Sequence, residues 1–365
     1  MNFASKKLIK RGARIRVLVV DDSVVIRRLV TTALERDPQI EIVGTAPNGS
    51  IGLARVPQLT PDVITLDIEM PEMSGLEMLR ELRRTNKEVR VIMFSTLTER
   101  GALSTMEALT LGADDYVTKA SNFGSLDRSM DALRGELIPK IKQFFTIEGE
   151  TPIAPARHAT TGKAPPAVWP ASGKPRPQIV AIGVSTGGPT ALGEILPQLP
   201  ADYPLPVLIV QHMPPLFTRL LAERLHATSK VKVVEAAAGM VVEPGCVYIA
   251  PGDYHMRLQK SAGKTKIALD QGPQENSCRP AVDVMFRSVE EMYGGAVISV
   301  ILTGMGYDGL RGAEILKAHG AYLIAQDEAS SVVWGMPGAV ANAGFADAVL
   351  PLHDVVPEIL RRTGV

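Results

Sequence analysis

Cysteine is scarce in this chain, and its scarcity excludes a fold held together by disulfides. Only Cys246 and Cys278 occur among the 365 residues. Secreted domains that depend on disulfides carry a much denser cysteine pattern. We therefore expect both thiols to be reduced and the protein to be cytoplasmic.

An excess of charge of one sign and long apolar runs are also lacking. Lys and Arg together number 39, as do Asp and Glu, so no overall field attracts nucleic acid or an anionic membrane. No apolar run reaches membrane-spanning length, and the basic amino terminus has no signal-peptide core. These absences predict no nucleic-acid partner and no direct membrane insertion, with residues 1–14 as a basic, solvated tail.

Apolar segments alternate with amphipathic ones in two blocks, residues 15–140 and residues 178–365. Strands that are apolar on both faces suit a sheet covered by helices, and the alternation predicts parallel strands with helical crossovers. Between the blocks, residues 146–177 contain seven prolines and no periodicity, which predicts an extended linker. The sequence therefore predicts an α/β protein with two doubly wound parallel-sheet domains joined by a proline-rich linker. The predicted strands are 17–20, 41–44, 63–66, 91–94 and 115–117 in the first block, and 179–182, 207–210, 247–250, 297–302 and 322–325 in the second.

Polar side chains follow four strands of the first block. They are Asp21, Asp22, Asp67, Ser95 and Lys119. Because the carboxyl ends of parallel strands meet at one edge of a sheet, we expect these side chains to share a pocket. Clustered carboxylates favour a hard divalent cation, most simply Mg²⁺, with Asp67 as the phosphoryl acceptor. Helix capping is an equally good explanation of Asp21 alone, but it does not account for matching residues at four strand ends.

This constellation resembles the receiver domain of bacterial response regulators over about 16–137. The resemblance implies that Asp67 accepts a phosphoryl group from a phosphodonor histidine kinase. It also implies that Asp22 and the backbone carbonyl of Glu69 bind Mg²⁺, with Asp21 supporting the metal through water.

Three further residues match the switch of a receiver. By the resemblance, Ser95 and Lys119 contact the phosphoryl group, and the ring of Tyr116 changes rotamer on activation. Receivers usually follow the lysine with a cis proline, whereas Ala120 stands here. A cis bond before a residue other than proline costs roughly 2.5–4 kcal/mol. We therefore predict a trans Lys119–Ala120 bond and a shifted loop.

A serine, a histidine and an aspartate follow three strands of the second block. Ser185 lies in the glycine-rich turn 183–188, where backbone N–H groups can approach an oxyanion. His212 follows the second strand of this block, and Asp308 lies in a glycine-rich loop after the fourth. A nucleophile, a base and an orienting acid at strand ends predict a catalytic triad for acyl transfer.

Each of these signals has a simpler explanation when it is taken alone. A Gly-x-Ser-x-Gly turn is often structural, and so is a single histidine. Asp253 and Asp327 are rival acids, and Asp327 also follows an apolar run. Cys278 follows no predicted strand and has no histidine beside it, so we predict a structural role for this thiol. The order serine, histidine, aspartate also differs from that of an ordinary α/β-hydrolase, and no P-loop lysine follows the glycines.

The second block resembles the catalytic domain of the chemotaxis protein-glutamate methylesterases. The resemblance rests on the segments 183–189, 211–214, 279–286 and 303–309. It implies a phosphorylation-activated serine esterase, with no cofactor for the esterase step, that demethylates glutamates on the cytoplasmic helices of methyl-accepting chemoreceptors. Methanol is the product, and deamidation of receptor glutamines is a second implied activity. Thr186 and the backbone of Met305 would line the oxyanion and substrate pocket, while the roles of Arg279 and Asp283 stay open.

Two other functions remain open from the sequence. A response regulator can act by binding DNA or another protein, but the second block has no compact basic helical module. A hydrolase of a small soluble ester, fused to a receiver, would carry the same triad, since a triad specifies acyl chemistry and not the acyl donor. Methanol release from methylated receptor membranes distinguishes these functions.

Overall fold

The computed structural model describes residues 7–10, 12–96, 98–119, 126–148 and 175–365. Contacts divide the chain into an amino-terminal unit within Lys6–Thr151 and a carboxy-terminal unit that includes Pro152–Val365. Most of the predicted linker lies outside the described residues, and so does Ala120. The trans Lys119–Ala120 bond therefore stays a prediction.

The amino-terminal unit alternates strands and helices. Its strands are β1 (Lys7–Ile9), β2 (Ile15–Val20), β3 (Ile40–Ala46), β4 (Val63–Asp67), β5 (Arg90–Ser95), β6 (Asp115–Thr118) and β7 (Phe145–Ile147). Its helices are α1 (Val24–Glu35), α2 (Gly49–Leu59), α3 (Gly75–Thr85), α4 (Glu99–Leu111) and α5 (Leu126–Lys142).

Strands β2 to β6 form one parallel sheet in the order β3-β2-β4-β5-β6. This order confirms the predicted doubly wound architecture, since the chain moves first to one side of β2 and then to the other. Polar side chains begin the helices soon after the strands end. Ser23, Asn48, Ser74 and Thr98 each accept a backbone N–H at the start of α1 to α4. The strand-end residues are therefore held at one edge of the sheet.

The expectation of a solvated tail over residues 1–14 is wrong for β1, which pairs in parallel with β7. Ile9 is buried, and Lys7 Nζ lies 2.7 Å from Asp62 Oδ1. Strand β7 also continues into residues that were assigned to the linker. The pairing satisfies backbone groups that neither segment satisfies alone, and strands of three residues carry almost no periodic signal.

The carboxy-terminal unit also alternates strands and helices. Its strands are β8 (Ile179–Val184), β9 (Val207–Gln211), β10 (Lys232–Glu235), β11 (Cys246–Ile249), β12 (His255–Ser261), β13 (Lys264–Asp270), β14 (Val297–Ile301), β15 (Tyr322–Gln326) and β16 (Ala348–Leu350). Its helices are α6 (Gly188–Ile195), α7 (Phe217–Thr228), α8 (Val282–Tyr293), α9 (Leu310–Ala318), α10 (Met336–Asn342) and α11 (Leu352–Thr363).

Seven of these strands form a second parallel sheet, in the order β10-β11-β9-β8-β14-β15-β16. Every residue of β8, β9, β14 and β15 is buried, as predicted for strands covered on both faces. Strands β12 and β13 form a separate antiparallel hairpin, which the sequence prediction did not include, and β10 and β16 were also missed. No helix among the described residues is both long and apolar enough to cross a membrane.

Candidate functional site

The serine turn lies at the carboxyl end of β8, where the strand order of the second sheet reverses. Strand β9 lies on one side of β8 and β14 on the other. Open parallel sheets bind ligands at such points. Ser185 N donates to Thr303 O at 3.0 Å, and His212 N donates to Val184 O at 3.2 Å. These bonds hold the ends of β8, β9 and β14 side by side.

Close packing at glycines keeps this turn tight. Gly187 has φ 79°, in the left-handed region that favours glycine, and immediately precedes α6. A Cβ on Gly188 would lie 1.9 Å from Gln211 Oε1, and one on Gly304 would lie 2.8 Å from Ser185 Cβ. The serine is therefore held at the start of α6, where the first backbone N–H groups have no partner within the helix.

His212 and Asp308 form the predicted pair of base and acid. His212 Nε2 lies 2.8 Å from Asp308 Oδ2, and their side chains are 12% and 2% exposed. The hydrogen bonds recorded within the described residues do not include one between Ser185 Oγ and His212. Catalytic hydrogen bonds are often long before substrate binds. The missing hydrogen bond between Ser185 and His212 therefore does not argue against Ser185 as part of the site.

Backbone N–H groups hold the Asp308 carboxylate in place. Its Oδ2 accepts from Val282 N at 2.6 Å, and its Oδ1 accepts from Asp283 N at 3.1 Å and Gly309 N at 3.0 Å. Asn276 Nδ2 also donates to Oδ1, at 2.8 Å. Since Val282 and Asp283 begin α8, the positive end of that helix favours the charged form of the acid.

A short turn supplies Asn276, and the sequence prediction missed it. Glu275 N donates to Cys278 O at 3.1 Å, and Cys278 N donates to Glu275 O at 2.9 Å. The central residues Asn276 and Ser277 have φ 52° and 63°, the positive pair that a type I′ turn requires. Arg287 anchors the turn through bonds of 2.8 and 2.6 Å to the Glu275 carboxylate. The asparagine signals a turn in the sequence, but nothing local indicates which site it reaches.

The expectation that Cys278 has no histidine beside it is wrong in space. One ligand atom from each of His212, Cys278 and Asp308 lies within 4.8 Å of the other two. The thiol is half-buried. The turn at 275–278 therefore places a thiol beside His212, next to the predicted base.

The carboxylate and the thiol control the charge of the imidazole. Burial disfavours a charged His212, but its hydrogen bond with Asp308 and the nearby Cys278 side chain outweigh burial and raise its pKa to about 10. Burial also opposes charge on Asp308, yet its bonds with His212 and the backbone lower its pKa. Burial and the charge of Asp308 raise the pKa of Asp283 to about 6. Negative charge therefore concentrates on the carboxylate that faces the base.

Arg279 and Asp283, whose roles the sequence left open, contact other parts of the site. Arg279 Nε donates to Asp253 Oδ1 at 2.9 Å, which engages one of the rival acids. Asp283 is fully buried and accepts from Gly312 N at 2.7 Å and from Asn276 Nδ2 at 2.9 Å. Asp283 thus supports Asn276 behind the His212–Asp308 pair.

Asp327, the other rival acid, and His255 make structural contacts. Asp327 Oδ1 accepts from Ser330 N at 2.9 Å, which closes a local turn. His255 Nε2 lies 2.9 Å from Pro273 O, and its Nδ1 accepts from Ala281 N at 3.2 Å. Both ring nitrogens of His255 are therefore engaged with the backbone.

The predicted oxyanion residues flank the serine. Thr186 follows Ser185, and its carbonyl accepts from Thr303 Oγ1 at 2.9 Å. Met305 follows Gly304, the residue packed against Ser185, and is 41% exposed. The placement of their N–H groups around an oxyanion stays a prediction.

The predicted acidic pocket forms at the carboxyl edge of the amino-terminal sheet. Carboxylate oxygens of Asp21, Asp22 and Asp67 lie within 4.8 Å of one another. Lys119 Nζ lies 2.7 Å from Asp67 Oδ2 and 3.0 Å from Asp21 Oδ2. Asp21 and Asp67 are buried, whereas Asp22 is exposed. The fold therefore brings together four of the predicted residues.

The pocket holds the three carboxylates of Asp21, Asp22 and Asp67 but only the ammonium group of Lys119, so negative charge is in excess. Burial raises the pKa of Asp67 to about 6 and the charge of Asp21 adds to the effect, although the hydrogen bond with Lys119 opposes it. Burial disfavours the charged form of Lys119, but Asp67 and Asp21 raise its pKa. Oxygen donors with this excess of negative charge fit a hard divalent cation such as Mg²⁺.

The other predicted switch residues lie near this edge of the sheet. Ser95, at the end of β5, accepts a hydrogen bond from Thr105 Oγ1 at 2.7 Å. Tyr116 is 8% exposed, and burial raises its pKa well above the ordinary value. The Glu69 side chain pairs with Arg100 at 3.1 Å, and the predicted metal ligand at this position is its backbone carbonyl.

Known proteins match both units. The family model of the CheB methylesterase matches residues 180–359, and that of the response regulator receiver domain matches residues 17–131. A protein-glutamate methylesterase/protein-glutamine glutaminase from Nocardioides sp. is 53% identical, covering 95% of this chain and 95% of that protein. One from Trichodesmium erythraeum is 49% identical, covering 96% and 99%.

A solved structure matches the carboxy-terminal unit. The crystal structure of the Thermotoga maritima CheB methylesterase catalytic domain is 47% identical, covers 51% of this chain and 98% of that chain, and has a TM-score of 0.50. The curated relatives extend the match over nearly the whole sequence. The chain belongs to the family of protein-glutamate methylesterases/protein-glutamine glutaminases that combine a response regulator receiver domain with a CheB methylesterase domain.

Proposed function

We propose that Ser185 is the nucleophile of this esterase, His212 its base and Asp308 its orienting acid. The observation that carries the proposal is the 2.8 Å His212–Asp308 pair, which lies at the same sheet edge as the serine turn. Because three backbone N–H groups and Asn276 hold the acid, its position does not depend on substrate. This preorganisation is what general base catalysis requires.

The chain is a phosphorylation-regulated protein-glutamate methylesterase with protein-glutamine glutaminase activity that acts in chemotaxis. Its substrates are chemoreceptors, and within them we assign the methylated glutamates and the glutamines of the cytoplasmic helices. Hydrolysis of the ester releases methanol, and hydrolysis of the amide releases ammonia. Both reactions transfer an acyl group, so one site serves both.

The reaction follows from the charge arrangement of the site. His212 takes the proton of Ser185 as its Oγ attacks the ester carbon, and returns the proton to the departing methoxide. Because Nε2 of the imidazole bonds Asp308, Nδ1 is the nitrogen left for this exchange. The N–H groups of Thr186 and Met305 are assigned to the oxyanion. Water, deprotonated by His212, then hydrolyses the Ser185 ester.

The receiver controls this reaction through Asp67, the proposed phosphorylation site, with a histidine kinase as phosphodonor. Asp22, Asp67 and the Glu69 carbonyl would hold Mg²⁺, and Asp21 would support it through water. The cation would neutralise charge on the phosphoryl oxygens. Lys119 already contacts Asp67. We assign Ser95 to contact with the phosphoryl group and the ring of Tyr116 to the rotamer change on activation.

Two single substitutions test the nucleophile, because Cys278 also lies beside His212. Methanol release from methylated receptor membranes is measured for Ser185→Ala and Cys278→Ser. We expect Ser185→Ala to lose activity on the order of 10⁴-fold or more, while Cys278→Ser keeps most of it. Receiver phosphorylation should be unchanged in both variants. Loss in Cys278→Ser together with near-normal turnover in Ser185→Ala would assign the nucleophile to the thiol.

Turnover of a soluble ester without methanol release from receptors would favour a small-ester hydrolase.

A further inference from the structure

The acyl-transfer reaction leaves Cys278 without a step, although the fold holds the thiol against the base. The turn at 275–278 is closed by two backbone bonds and anchored by Arg287. Its Asn276 is fixed in turn by bonds to Asp308 and Asp283. The position of the thiol is therefore set by the same contacts that orient the acid.

The three groups that meet here are ligands of one kind of metal ion. An imidazole nitrogen, a sulfur and a carboxylate oxygen lie within 4.8 Å of one another. Zinc sites with an open position use three protein ligands of these types. Mg²⁺ and Ca²⁺ match these ligands less well than Zn²⁺ does, because both ions prefer oxygen ligands and one ligand here is a thiol.

The separation between His212 and Asp308 suits a tetrahedral ion after a small adjustment. Zinc bond lengths and tetrahedral angles place pairs of ligand atoms about 3.4 to 3.6 Å apart. The His212–Asp308 distance is 2.8 Å because the two atoms share a proton. Replacing that proton with a cation requires this pair to separate by about half an ångström.

We propose that His212, Cys278 and Asp308 form a binding site for a thiophilic divalent cation, best matched by Zn²⁺, that switches the esterase off. The inference rests on the proposed function of His212 as base. Binding releases the thiol proton to solvent, and the proton on the coordinating imidazole nitrogen leaves or moves to the other ring nitrogen. With Asp308 and one imidazole nitrogen coordinated, the base cannot cycle a proton for Ser185.

The test is a ZnCl₂ titration of the full-length protein during methanol release. We expect micromolar Zn²⁺ to inhibit the native protein at least tenfold and EDTA to restore activity. Cys278→Ala, with its rate expressed relative to its own metal-free rate, should need at least tenfold more Zn²⁺ for the same fractional inhibition. The matched control is Cys246→Ala, which removes the other thiol and should keep native sensitivity. Equal sensitivity of Cys278→Ala and the native protein would overturn the proposal, as would no inhibition at millimolar Zn²⁺.

A second readout does not depend on esterase activity. Co²⁺ bound in place of Zn²⁺ should give a thiolate-to-metal absorption band in the native protein and in Ser185→Ala, but not in Cys278→Ala. A band in all three proteins would place the cation at Cys246, the other thiol of the chain, and would overturn the proposal. If Ser185→Ala keeps both the band and full turnover, the proposed nucleophile fails while the metal site stands.

Discussion

At the scale of single residues, the active site depends on which neighbours each side chain meets. Asp308 and Asp283 are both buried carboxylates, yet the pKa of Asp308 is lowered and that of Asp283 is raised to about 6. The difference arises because Asp308 faces His212 and the start of α8. The environment therefore favours Asp308 over Asp283 as the proposed orienting acid, although the two residues are of the same type.

Asp308→Asn removes the charge while keeping the size of the side chain. Every partner of the carboxylate among the backbone groups and Asn276 is a donor, so the new amide N–H group meets another donor. We expect the free energy of unfolding to fall by about 1–3 kcal/mol and kcat to fall on the order of 10³–10⁴-fold. Urea unfolding and methanol release measure the two effects. Asp354→Asn, at an exposed position, serves as the control, and a normal rate in Asp308→Asn would show that the carboxylate does not orient His212.

The raised pKa of His212 sets the expected pH profile. Only the neutral imidazole accepts the serine proton, so kcat/KM should rise with pH toward the His212 pKa of about 10. Because the nearby Cys278 side chain contributes to the rise in the His212 pKa, Cys278→Ala should move the profile to lower pH. The raised value also means that His212 stabilises the fold fully below its ordinary pKa of 6.5 and loses this effect as pH rises through about 10. Rates across neutral and alkaline pH measure the profile, and identical profiles for the two proteins would contradict the assignment.

At the scale of elements, the connections after β8 and β14 position the reactive groups more than the strands themselves do. The serine turn leads into α6, and the loop after β14 packs Gly304 against Ser185. The turn at 275–278, ahead of α8, adds Asn276 as a partner of Asp308. We therefore expect substitutions in these loops to lower the catalytic rate more strongly than they lower the free energy of unfolding.

Gly304→Ala tests the contact between the β14 loop and the serine. The added Cβ would lie 2.6 Å from Met336 Sδ and 2.8 Å from Ser185 Cβ, so one of these groups must move. A shift of about 1 Å in a catalytic group costs on the order of 10²-fold in rate, and we expect a loss of that size in methanol release. The matched control is Gly193→Ala in α6, where a Cβ meets nothing within 4 Å. Equal rates in the two variants would show that the packing at Gly304 does not hold Ser185.

At the scale of the whole molecule, each unit places its site at the carboxyl edge of its own parallel sheet. The receiver gathers Asp21, Asp22, Asp67 and Lys119 there, and the methylesterase unit gathers Ser185, His212 and Asp308. We propose that phosphorylation of Asp67 in the first site controls the reaction at the second.

Regulation by the receiver predicts different rates for three proteins. If the unphosphorylated receiver restrains the esterase, a fragment of residues 178–365 should release methanol faster than the full chain. A small-molecule phosphodonor with Mg²⁺ should raise the rate of the full chain, but not that of Asp67→Asn. The crystal structure of the matching Thermotoga maritima catalytic domain shows that such a domain folds alone. Equal rates for all three proteins, with and without phosphodonor, would mean that the receiver does not gate the esterase.

The two doubly wound sheets and the residues at their strand ends could be predicted from the sequence. Long apolar strands alternating with amphipathic helices leave a strong local signal, and parallel strands must converge at one edge. The His212–Asp308 contact and the Asp67 pocket follow from that geometry.

The remaining features depend on packing between segments that are distant in the sequence. The β1–β7 pair, the β12–β13 hairpin and the position of the 275–278 turn depend on contacts between segments with weak local patterns. Cys278 looked structural because its histidine is distant in sequence, yet the turn places it beside His212. Periodicity reports which face of an element is buried, whereas the partner that covers it is chosen by packing across the whole fold.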